Sequence, residues 1–587
     1  MRAQRLAALL LVILAGLPCF AGAAESGGVA GADPLAIGRR IYREGILPTG
    51  QALRGVGQAG VTLKGAEAAC TTCHRRSGYG SSEGPIEVRA ITGPALFGER
   101  VAPIAPGAAG VGAPPATAPA ANSPGATISG QSAAEAARAK AQALRAARTA
   151  QFAGNRPRPA YDDASLARAI EEGIDVTGRP MDATMPRYAL DVVALKSLTA
   201  YLKTLSVTAS PGVTEDAVHF ATVMQPGTDA AQRRAVVELL EKYFEDRNRG
   251  LRSEVRREHA GQVHLGRTYR EWVLHVWDLK GTSDSWRAQL EVYNQQQPVF
   301  AMVSGLGKAS WRPIHEFSER FEVPCLFPQV EVPVVDGPDF YTVYISQGMT
   351  LEAQALAKFL HDSAERAPVM QIYRRDEASA TAAAAFRKAW AAGKIALEER
   401  ELTASPDAAY WQQLAQEASG KTLILWLPPE DLAQAQALTA TASPVKAVYL
   451  SSGLIGDATS GMTPDAAGRL RLIYPQDLPS VRAARLEVVK RWLQSNDIAL
   501  TDERVQLNAY LAATVMGMMV SHSKDTYSRE FLIERMEHRL GNSLELSVYP
   551  HLSLGPGQRF ASKGSYIVRV DGEGAGGLSL LSDWIVP

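Results

Sequence analysis

VHFATVM (residues 218–224) followed by AQRRAVVELLEKYFEDR (231–247) decides the fold of the larger part of this 587-residue chain. The first segment is a short apolar run, and the second has apolar residues at helical spacing. A strand followed by an amphipathic helix is the unit from which parallel sheets are built. The pair therefore predicts an α/β fold from about residue 215 onward.

The same alternation continues along the chain after this first pair. EWVLHVWDL, PVFAMVSGLG, FYTVYIS, APVMQIYR, KTLILWLP, VKAVYLSS and LRLIYP are strand candidates, with helix candidates such as DSWRAQLEVYNQQ, WRPIHEFSERF and AAAAFRKAWAA between them. The number of strands is larger than one small sheet holds, so we expect two lobes with doubly wound parallel sheets. Helices then dominate, and the chain closes on short strands such as LELSVYP and GSYIVRVD.

Upstream, the segment Cys70-Thr71-Thr72-Cys73-His74 carries a different chemistry. A structural zinc site would need about four ligands, and no second cysteine pair or close histidine pair completes one. A dithiol redox site fits the spacing but belongs near a βαβ pattern, and this context reads as helix and Gly-rich loop. The third interpretation is covalent attachment of one haem c, with both thiols as thioethers and His74 as an axial iron ligand. We favour this interpretation.

A second axial ligand is expected downstream of His74. GRPMDATMPRYALDVVALKSLTAYLKTL (178–205) offers Met181 and Met185 in a Gly/Pro-broken loop ahead of a helix. Met185 precedes Pro186, which favours a non-helical loop conformation there. Met185 is therefore our candidate ligand, with Met181 as the alternative.

Residues 33 to 205 resemble a class I cytochrome c domain. The resemblance rests on the helix IGRRIYREGI before Cys-x-x-Cys-His, and on MPRY before a closing helix that ends in AYLKTL. It implies an all-α domain over residues 33–208, with Met185 as the distal ligand. It also implies one-electron transfer with a periplasmic redox partner: a dehydrogenase, another cytochrome or an oxidase. An Ala/Pro/Gly-rich insertion at 101–159 departs from the family pattern and is expected to be linker in its first half.

Residues 215–587 resemble type I periplasmic solute-binding proteins of the branched-chain amino-acid class. The resemblance rests on element order and on the segments SGLGKASW, PCLFPQ and SQGMTLEAQALAKFL. It implies a bilobal domain of an ABC-transporter substrate-binding kind, with a small-molecule ligand such as an amino acid. Ligands of open α/β sheets lie beyond the carboxyl ends of the strands. By that rule and by the family's loops, the candidate ligand-binding residues are Ser304, Gly305, Ser310, Gln329 and Gln347.

The two resemblances leave open which domain defines the function. Electron transfer by the haem is the main hypothesis, and a small-metabolite receptor with a sensory or accessory haem is the alternative. No Ser/His/Asp set, carboxylate pair or phosphate-binding loop stands out in residues 215–587, so we expect no enzyme. A haem peroxidase would need an open iron position, against which Met185 argues.

The first 23 residues have a basic start, an apolar run and a small-residue exit, which predicts a cleaved export signal and a periplasmic location. No later stretch is apolar and long enough to span a bilayer. Lys+Arg and Asp+Glu both number 61, so no nucleic-acid partner is implied. Cys325, in FEVPCLFP, is expected to be a small buried hydrophobe, and Met516, Met518 and Met519 to be core residues.

Overall fold

The structure is a computed structural model that describes residues 33–83, 86–99, 158–259, 269–337, 339–363, 367–456, 468–521, 527–540, 548–571 and 577–587. The predicted signal peptide (1–23) and the insertion up to residue 157 lie outside the described residues. The chain divides into two compact units. Of the described residues, the first unit comprises those up to Thr72 together with those from Leu96 to Lys203, and the second comprises those from Cys73 to Ala95 together with those from Thr204 to Pro587.

Short helices and strands make up the described chain before residue 205. The helices are α1 (Pro34–Glu44), α2 (Thr71–His74), α3 (Gly93–Phe97), α4 (Asp163–Glu171) and α5 (Val192–Thr204). The strands are β1 (Arg54–Val56), β2 (Thr62–Lys64), β3 (Ser81–Glu83), β4 (Ile86–Val88) and β5 (Arg187–Tyr188). The two helices predicted at the start and end of this region are therefore present as α1 and α5.

The prediction of an all-α first domain is wrong, because the first unit also contains a small sheet. Its strands run antiparallel in the order β2-β1-β5. The β1–β2 turn is closed by the Gly57 N–H, which donates to the Val61 carbonyl at 2.8 Å. Glycines in this turn supply the backbone freedom that a tight reversal needs.

Packing in the first unit brings α1 against α5. A Cβ atom on Gly38 would lie 2.1 Å from the Ser197 carbonyl oxygen, so only glycine permits this approach of the two helices. One turn further along α1, the Tyr42 and Tyr201 rings are 5.3 Å apart. Tyr42 is fully buried, so this crossing is the centre of the unit's core.

The second unit contains the long α/β part of the chain. Its helices are α6 (Ala230–His259), α7 (Ser283–Gln296), α8 (Arg312–Phe321), α9 (Met349–Asp362), α10 (Glu377–Trp390), α11 (Ala408–Glu417), α12 (Pro429–Leu432), α13 (Ser452–Ile455), α14 (Pro479–Ser495), α15 (Glu503–Ser521) and α16 (Arg529–Arg539). None of the helices in the described ranges is long and apolar enough to cross a membrane.

Two sheets organise these helices into two lobes. The strands are β6 (Ala217–Met224), β7 (Glu271–Asp278), β8 (Ala301–Val303), β9 (Leu306–Gly307), β10 (Cys325–Leu326), β11 (Gln329–Val330), β12 (Thr342–Val343), β13 (Val369–Tyr373), β14 (Leu397–Glu401), β15 (Thr422–Trp426), β16 (Ala447–Ser451), β17 (Leu470–Tyr474), β18 (Tyr566–Val570) and β19 (Leu578–Leu580). The first lobe has the order β11-β9-β6-β8-β10-β12, with β7 beside β6, and all its pairs are parallel. The second has the order β14-β13-β15-β16-β17-β18-β19, in which the β17–β18 and β18–β19 pairs are antiparallel and the other pairs are parallel.

Both faces of each sheet are covered, as the prediction of doubly wound sheets requires. Along β6, Val218 and Phe220 pack with residues of α6, α15 and α16, whereas Ala221 and Val223 pack on the opposite face with residues of α7 and α8. The second sheet has two such clusters as well. The predicted two-lobed α/β architecture of residues 215–587 is therefore confirmed.

The chain passes between the lobes at three described places. These are between β12 and α9, between β17 and α14, and between Phe560 and β18. Tyr344 and Phe560 run side by side as a parallel bridge where the first and third passages leave the first lobe. The two lobes are thus joined by several segments rather than by one linker.

Two buried groups match their predicted roles. Cys325 on β10 has no exposed surface and packs in the first lobe's core, which confirms the small buried hydrophobe. Burial raises the pKa of its thiol to about 12. Met516 and Met519 are buried in α15, and Met518 packs against the same core.

Candidate functional site

The Cys-x-x-Cys-His motif forms a single helical turn. α2 spans Thr71–His74, with Cys70 directly before it. Cys70 is half-buried and Cys73 is exposed. The Thr71 hydroxyl donates to the Arg43 carbonyl at 3.3 Å and the Thr72 hydroxyl to the Ala66 carbonyl at 3.1 Å. The two threonines between the cysteines therefore fix the backbone of this turn.

The ring of His74 is oriented by a backbone group. Its Nδ1 lies 3.0 Å from the Arg89 carbonyl oxygen. A carbonyl accepts a hydrogen bond, so Nδ1 carries the proton and Nε2 is left with its lone pair. Burial lowers the pKa of His74, although the bond to the Arg89 carbonyl opposes this effect. A neutral imidazole with Nδ1 held by a carbonyl is the usual form of a metal-ligating histidine, so these residues fit a haem iron ligand.

The segment directly after the motif is anchored on α16 in the same unit. The Ser77 N–H donates to Glu534 Oε1 at 3.0 Å, and the Ser77 hydroxyl is bonded to Glu534 Oε2. Two residues further on, the Tyr79 ring lies 4.4 Å from the Phe531 ring. Burial raises the pKa of Glu534 to about 7.

A buried ion-pair group extends this anchor. Glu537, at the second turn after Phe531 on α16, accepts a bond from Arg559 at 2.7 Å and lies 3.7 Å from Arg75. Arg76 stacks over the Phe340 ring at 3.9 Å. The residues that follow His74 are therefore part of the packed first-lobe surface and not an independent loop.

Met181 and Met185 lie in a loop of the first unit, and both are half-buried. The Met181 N–H donates to the Gly173 carbonyl at 2.7 Å, and the Met185 N–H donates to the Asp182 carbonyl at 3.2 Å. The Arg187 guanidinium binds the carbonyls of both methionines. The backbone of this loop is therefore held by hydrogen bonds to neighbouring carbonyls and from the Arg187 side chain.

The candidate ligand residues of the larger unit lie at carboxyl ends of first-lobe strands. Gln329 Nε2 donates to the Ser304 hydroxyl at 3.2 Å and to the Val505 carbonyl at 3.0 Å. Gly305 has a φ of 113°, and a Cβ atom there would lie 2.8 Å from the Val223 carbonyl. The structure thus brings Ser304, Gly305 and Gln329 together, next to the start of α15.

Ser310 lies where the two lobes meet. Its N–H donates to Oε2 of Glu377, the first residue of α10 in the second lobe, at 2.7 Å. Its carbonyl accepts a bond from Gln225 Nε2 at 3.2 Å. Gln347 is half-buried in the first passage between the lobes, and its carbonyl accepts the Thr350 N–H at 3.2 Å. The carboxyl ends of β9 and β13 therefore come together here, and the region around this contact between the lobes is called the cleft.

A buried carboxyl group lies beside a second contact between the lobes, which is called the cleft base. Glu352 on α9 is 2% exposed. Its Oε1 accepts the N–H of Gly453, in the short helix α13, at 3.1 Å, while Oε2 has no hydrogen-bond partner among the described residues. Burial raises the pKa of Glu352 to about 8, against the opposing effects of Ser451, the Gly453 N–H and Arg504.

Charged groups from the first lobe complete this base. Arg504 on α15 donates to the Gly453 carbonyl at 3.3 Å, so it reaches across to the second lobe. Glu331 follows β11, and its carbonyl accepts the Met349 N–H at 3.1 Å. Burial raises the pKa of Glu331, while the charge of Arg504 lowers it. The cleft base therefore holds two desolvated carboxyl groups and one guanidinium.

Sequence reasoning missed Glu331, Glu352 and Arg504. A signal was available for Glu352: it stands between Met349 and Leu356 on the buried face of an otherwise apolar helix. Buried carboxyl groups are rare unless they are paired or functional. Glu331 lies in a loop and Arg504 at the start of a helix, where charged residues are common. These two residues come together only because the two lobes meet.

No family model and no curated protein matches the sequence. Among solved structures, a branched chain amino acid ABC transporter from Thermus thermophilus with bound valine is similar, with 10% identity, a TM-score of 0.46, and coverage of 63% of this chain and 97% of that one. A leucine binding protein from Thermotoga maritima has 14% identity, a TM-score of 0.45, and coverage of 63% and 99%. A fatty acid ABC transporter substrate-binding protein from Thermomonospora curvata has 16% identity, a TM-score of 0.44, and coverage of 65% and 95%.

Proposed function

We propose that this chain is an exported solute-binding protein that holds a small ammonium-bearing molecule, such as an amino acid, between its two lobes, and that it carries one covalent haem c. The observation that supports the ligand is the buried Glu352 carboxyl group with its unpartnered Oε2. An unpartnered buried polar atom destabilises the folded protein unless a ligand pairs with it.

The charges of the cleft base favour a zwitterionic ligand. A ligand ammonium group beside Glu352 and Glu331 would replace the water that these carboxyl groups lost on burial. Arg504 offers a guanidinium to a ligand carboxylate. Ser304 and Gln329 supply neutral hydrogen-bonding groups at the first-lobe wall.

This pairing predicts that ligand affinity depends on pH. An ammonium ion binds the ionised form of Glu352, whose pKa is about 8. Below that pH the carboxyl group must lose its proton before it can pair, so affinity should weaken by about tenfold for each pH unit. Calorimetry should show a weakening of roughly 50-fold from pH 8 to pH 6, with the release of about half a proton on binding at pH 8 and about one proton at pH 6.

The test is a calorimetric screen of amino acids and small amines against the full chain. Glu352→Gln should weaken the best ligand by roughly 10- to 100-fold, because a hydrogen bond to a charged group is lost, and should remove the part of the pH dependence that comes from Glu352, leaving only that of Glu331. Glu417→Gln is the matched control, since Glu417 is exposed and pairs with Arg400 on the outside of the second lobe. If no amino acid or amine binds, or if Glu352→Gln binds equally well, the proposed ligand class is wrong.

The haem is supported by the motif and by the orientation of His74. Cys70 and Cys73 would hold it as thioethers, His74 Nε2 would bind the iron, and Met185 would supply the second ligand, with Met181 as the alternative. When bound, such a group supplies one-electron oxidation and reduction. The chain's own part is attachment, ligation and the exclusion of water.

Haem attachment is tested independently of the ligand. Protein matured in a periplasm should show a Soret band that stays with the denatured chain, and Cys73→Ser should weaken this covalent link. A redox titration of Met185→Ala should lose the methionine-ligated spectrum. Survival of that spectrum would move the ligand to Met181, and absence of any covalent haem would remove electron transfer from the proposal.

A further inference from the structure

Two of the ten histidines in the sequence lie side by side on the first-lobe sheet. Nδ1 of His219 is 3.0 Å from Nε2 of His275. The rings are nearly parallel, with an interplanar angle of 26° and centroids 5.3 Å apart. Both side chains are half-buried. Neither residue belongs to the Cys-x-x-Cys-His motif or to the cleft.

The backbone fixes this arrangement. His219 is on β6 and His275 is on β7, and these strands pair in parallel over eight residues. His219 is opposite Val273, and His275 is opposite Ala221, so the two imidazoles occupy neighbouring positions on one face of the sheet. β6 is also bonded to β8 at Phe220 and Ala221, which leaves little freedom for the strand to shift.

Both rings are in the form that binds metal ions. Burial lowers the pKa of His219. Burial also lowers the pKa of His275, and the neighbouring His219 lowers it further. Both imidazoles are therefore neutral at neutral pH, and a neutral imidazole is the ligating form.

We propose that His219 and His275 form a two-histidine site for a divalent transition-metal ion of the Cu²⁺ or Zn²⁺ class. A metal–nitrogen bond is about 2.0–2.1 Å, so two nitrogens at right angles around one ion are roughly 3 Å apart. The observed separation of 3.0 Å matches that of two adjacent ligands. Imidazole nitrogen suits zinc, copper and nickel rather than magnesium or calcium.

Binding replaces the hydrogen bond between the rings. The ring that donates this bond moves its proton to its other nitrogen, so that both facing nitrogens offer lone pairs and both rings stay neutral. The described residues contain no group of three or more His, Cys, Asp or Glu side chains able to hold a metal ion. Water or an external ligand therefore completes the coordination of this site.

Cu²⁺ is the probe for the test. Titration of the full chain at pH 7.5, followed by electron paramagnetic resonance, should show a copper signal coupled to two imidazole nitrogens. His219→Gln and His275→Gln should each weaken this binding by at least about tenfold, since even partners one step removed from a metal ion change its affinity by roughly 10- to 100-fold. His538→Gln is the control, because His538 is a single exposed histidine at the end of α16.

A second measurement uses the native chain, because the proposal can then be tested even if the histidine variants fail to fold. Zn²⁺ should raise the unfolding temperature with a dependence on its concentration, whereas Mg²⁺ should not. A copper signal without coupling to two imidazoles, or one that keeps its affinity in both variants, would overturn the proposal and leave the pair as a hydrogen bond between neutral rings. Identical thermal shifts with Zn²⁺ and Mg²⁺ would also overturn the proposal.

Discussion

Replacing Glu534 by Gln should stabilise the second unit, and increasingly so as the pH rises. In the folded chain the carboxyl group holds its proton up to a pKa of about 7, compared with an ordinary value of 4.5. The folded state therefore binds more protons than the unfolded state between these values, and the contribution of Glu534 to stability falls as pH rises through that range. Gln has no such titration. Its amide oxygen can accept from the Ser77 N–H, and its amide nitrogen can donate to the Ser77 hydroxyl, which in the native chain donates to Glu534 Oε2.

The magnitude follows from the pKa. At 1.36 kcal/mol per pKa unit, the advantage of Glu534→Gln over the native chain should grow by about 2 kcal/mol between pH 5.5 and pH 8.5. Urea unfolding followed by tryptophan fluorescence is a suitable assay, because all nine tryptophans lie between residues 272 and 584. Glu417→Gln is the control, since bonds from Arg400 and Gln413 lower the pKa of Glu417 and keep its titration below this range. An advantage that stays constant from pH 5.5 to pH 8.5 would refute the reasoning.

Two further predictions concern packing and thiol chemistry. Gly38→Ala should destabilise the first unit by about 1–3 kcal/mol, since its methyl group would collide with the Ser197 carbonyl. Gly250→Ala on α6, where nothing lies within 4 Å, should instead stabilise by up to about 1 kcal/mol, and thermal unfolding of both variants compares the two effects. Cys325 should not react with a thiol reagent at pH 8 in the folded chain, because its pKa is about 12. After unfolding in denaturant, Cys325 should be the one reactive cysteine of a chain that has lost the predicted signal peptide with Cys19 and whose motif cysteines are thioethers. Labelling of the folded chain at Cys325 would contradict its burial.

Sequence patterns predicted most of the fold because the buried parallel strands are continuous apolar runs. β13, β15, β16 and β17 all lie within predicted segments. β14 was missed: its sequence, LEERE, is charged, and it is an edge strand paired only with β13. Its charged side chains form ion pairs such as Arg387–Glu399 and Lys421–Glu398. The partners lie in other elements, so the local sequence of β14 does not reveal that these charges are paired in a sheet.

The candidate functional residues were likewise predicted where they are close together in the sequence and missed where only the fold brings them together. The motif residues and His74 are adjacent in the chain, so their chemistry is visible in one short segment. Ser304 and Gln329 could be placed because both follow strands, and the structure brings them together. Glu352 and Arg504 are separated by about 150 residues and meet only because the chain returns to the first lobe through α14 and α15.

The contacts that Ser77, Tyr79 and Arg75 make with α16 bear on how this chain could be divided. A fragment ending near residue 208 would keep the cysteine pair but would lose the contact of the Tyr79 ring with Phe531 and expose that ring to water. A fragment that begins after residue 208 would leave Glu534 without the N–H and hydroxyl donors of Ser77. Separate expression of the two halves, or exchange of either half with an unrelated protein, should therefore yield less soluble products than the intact chain. An engineered variant should therefore keep the segment after His74 and α16 together.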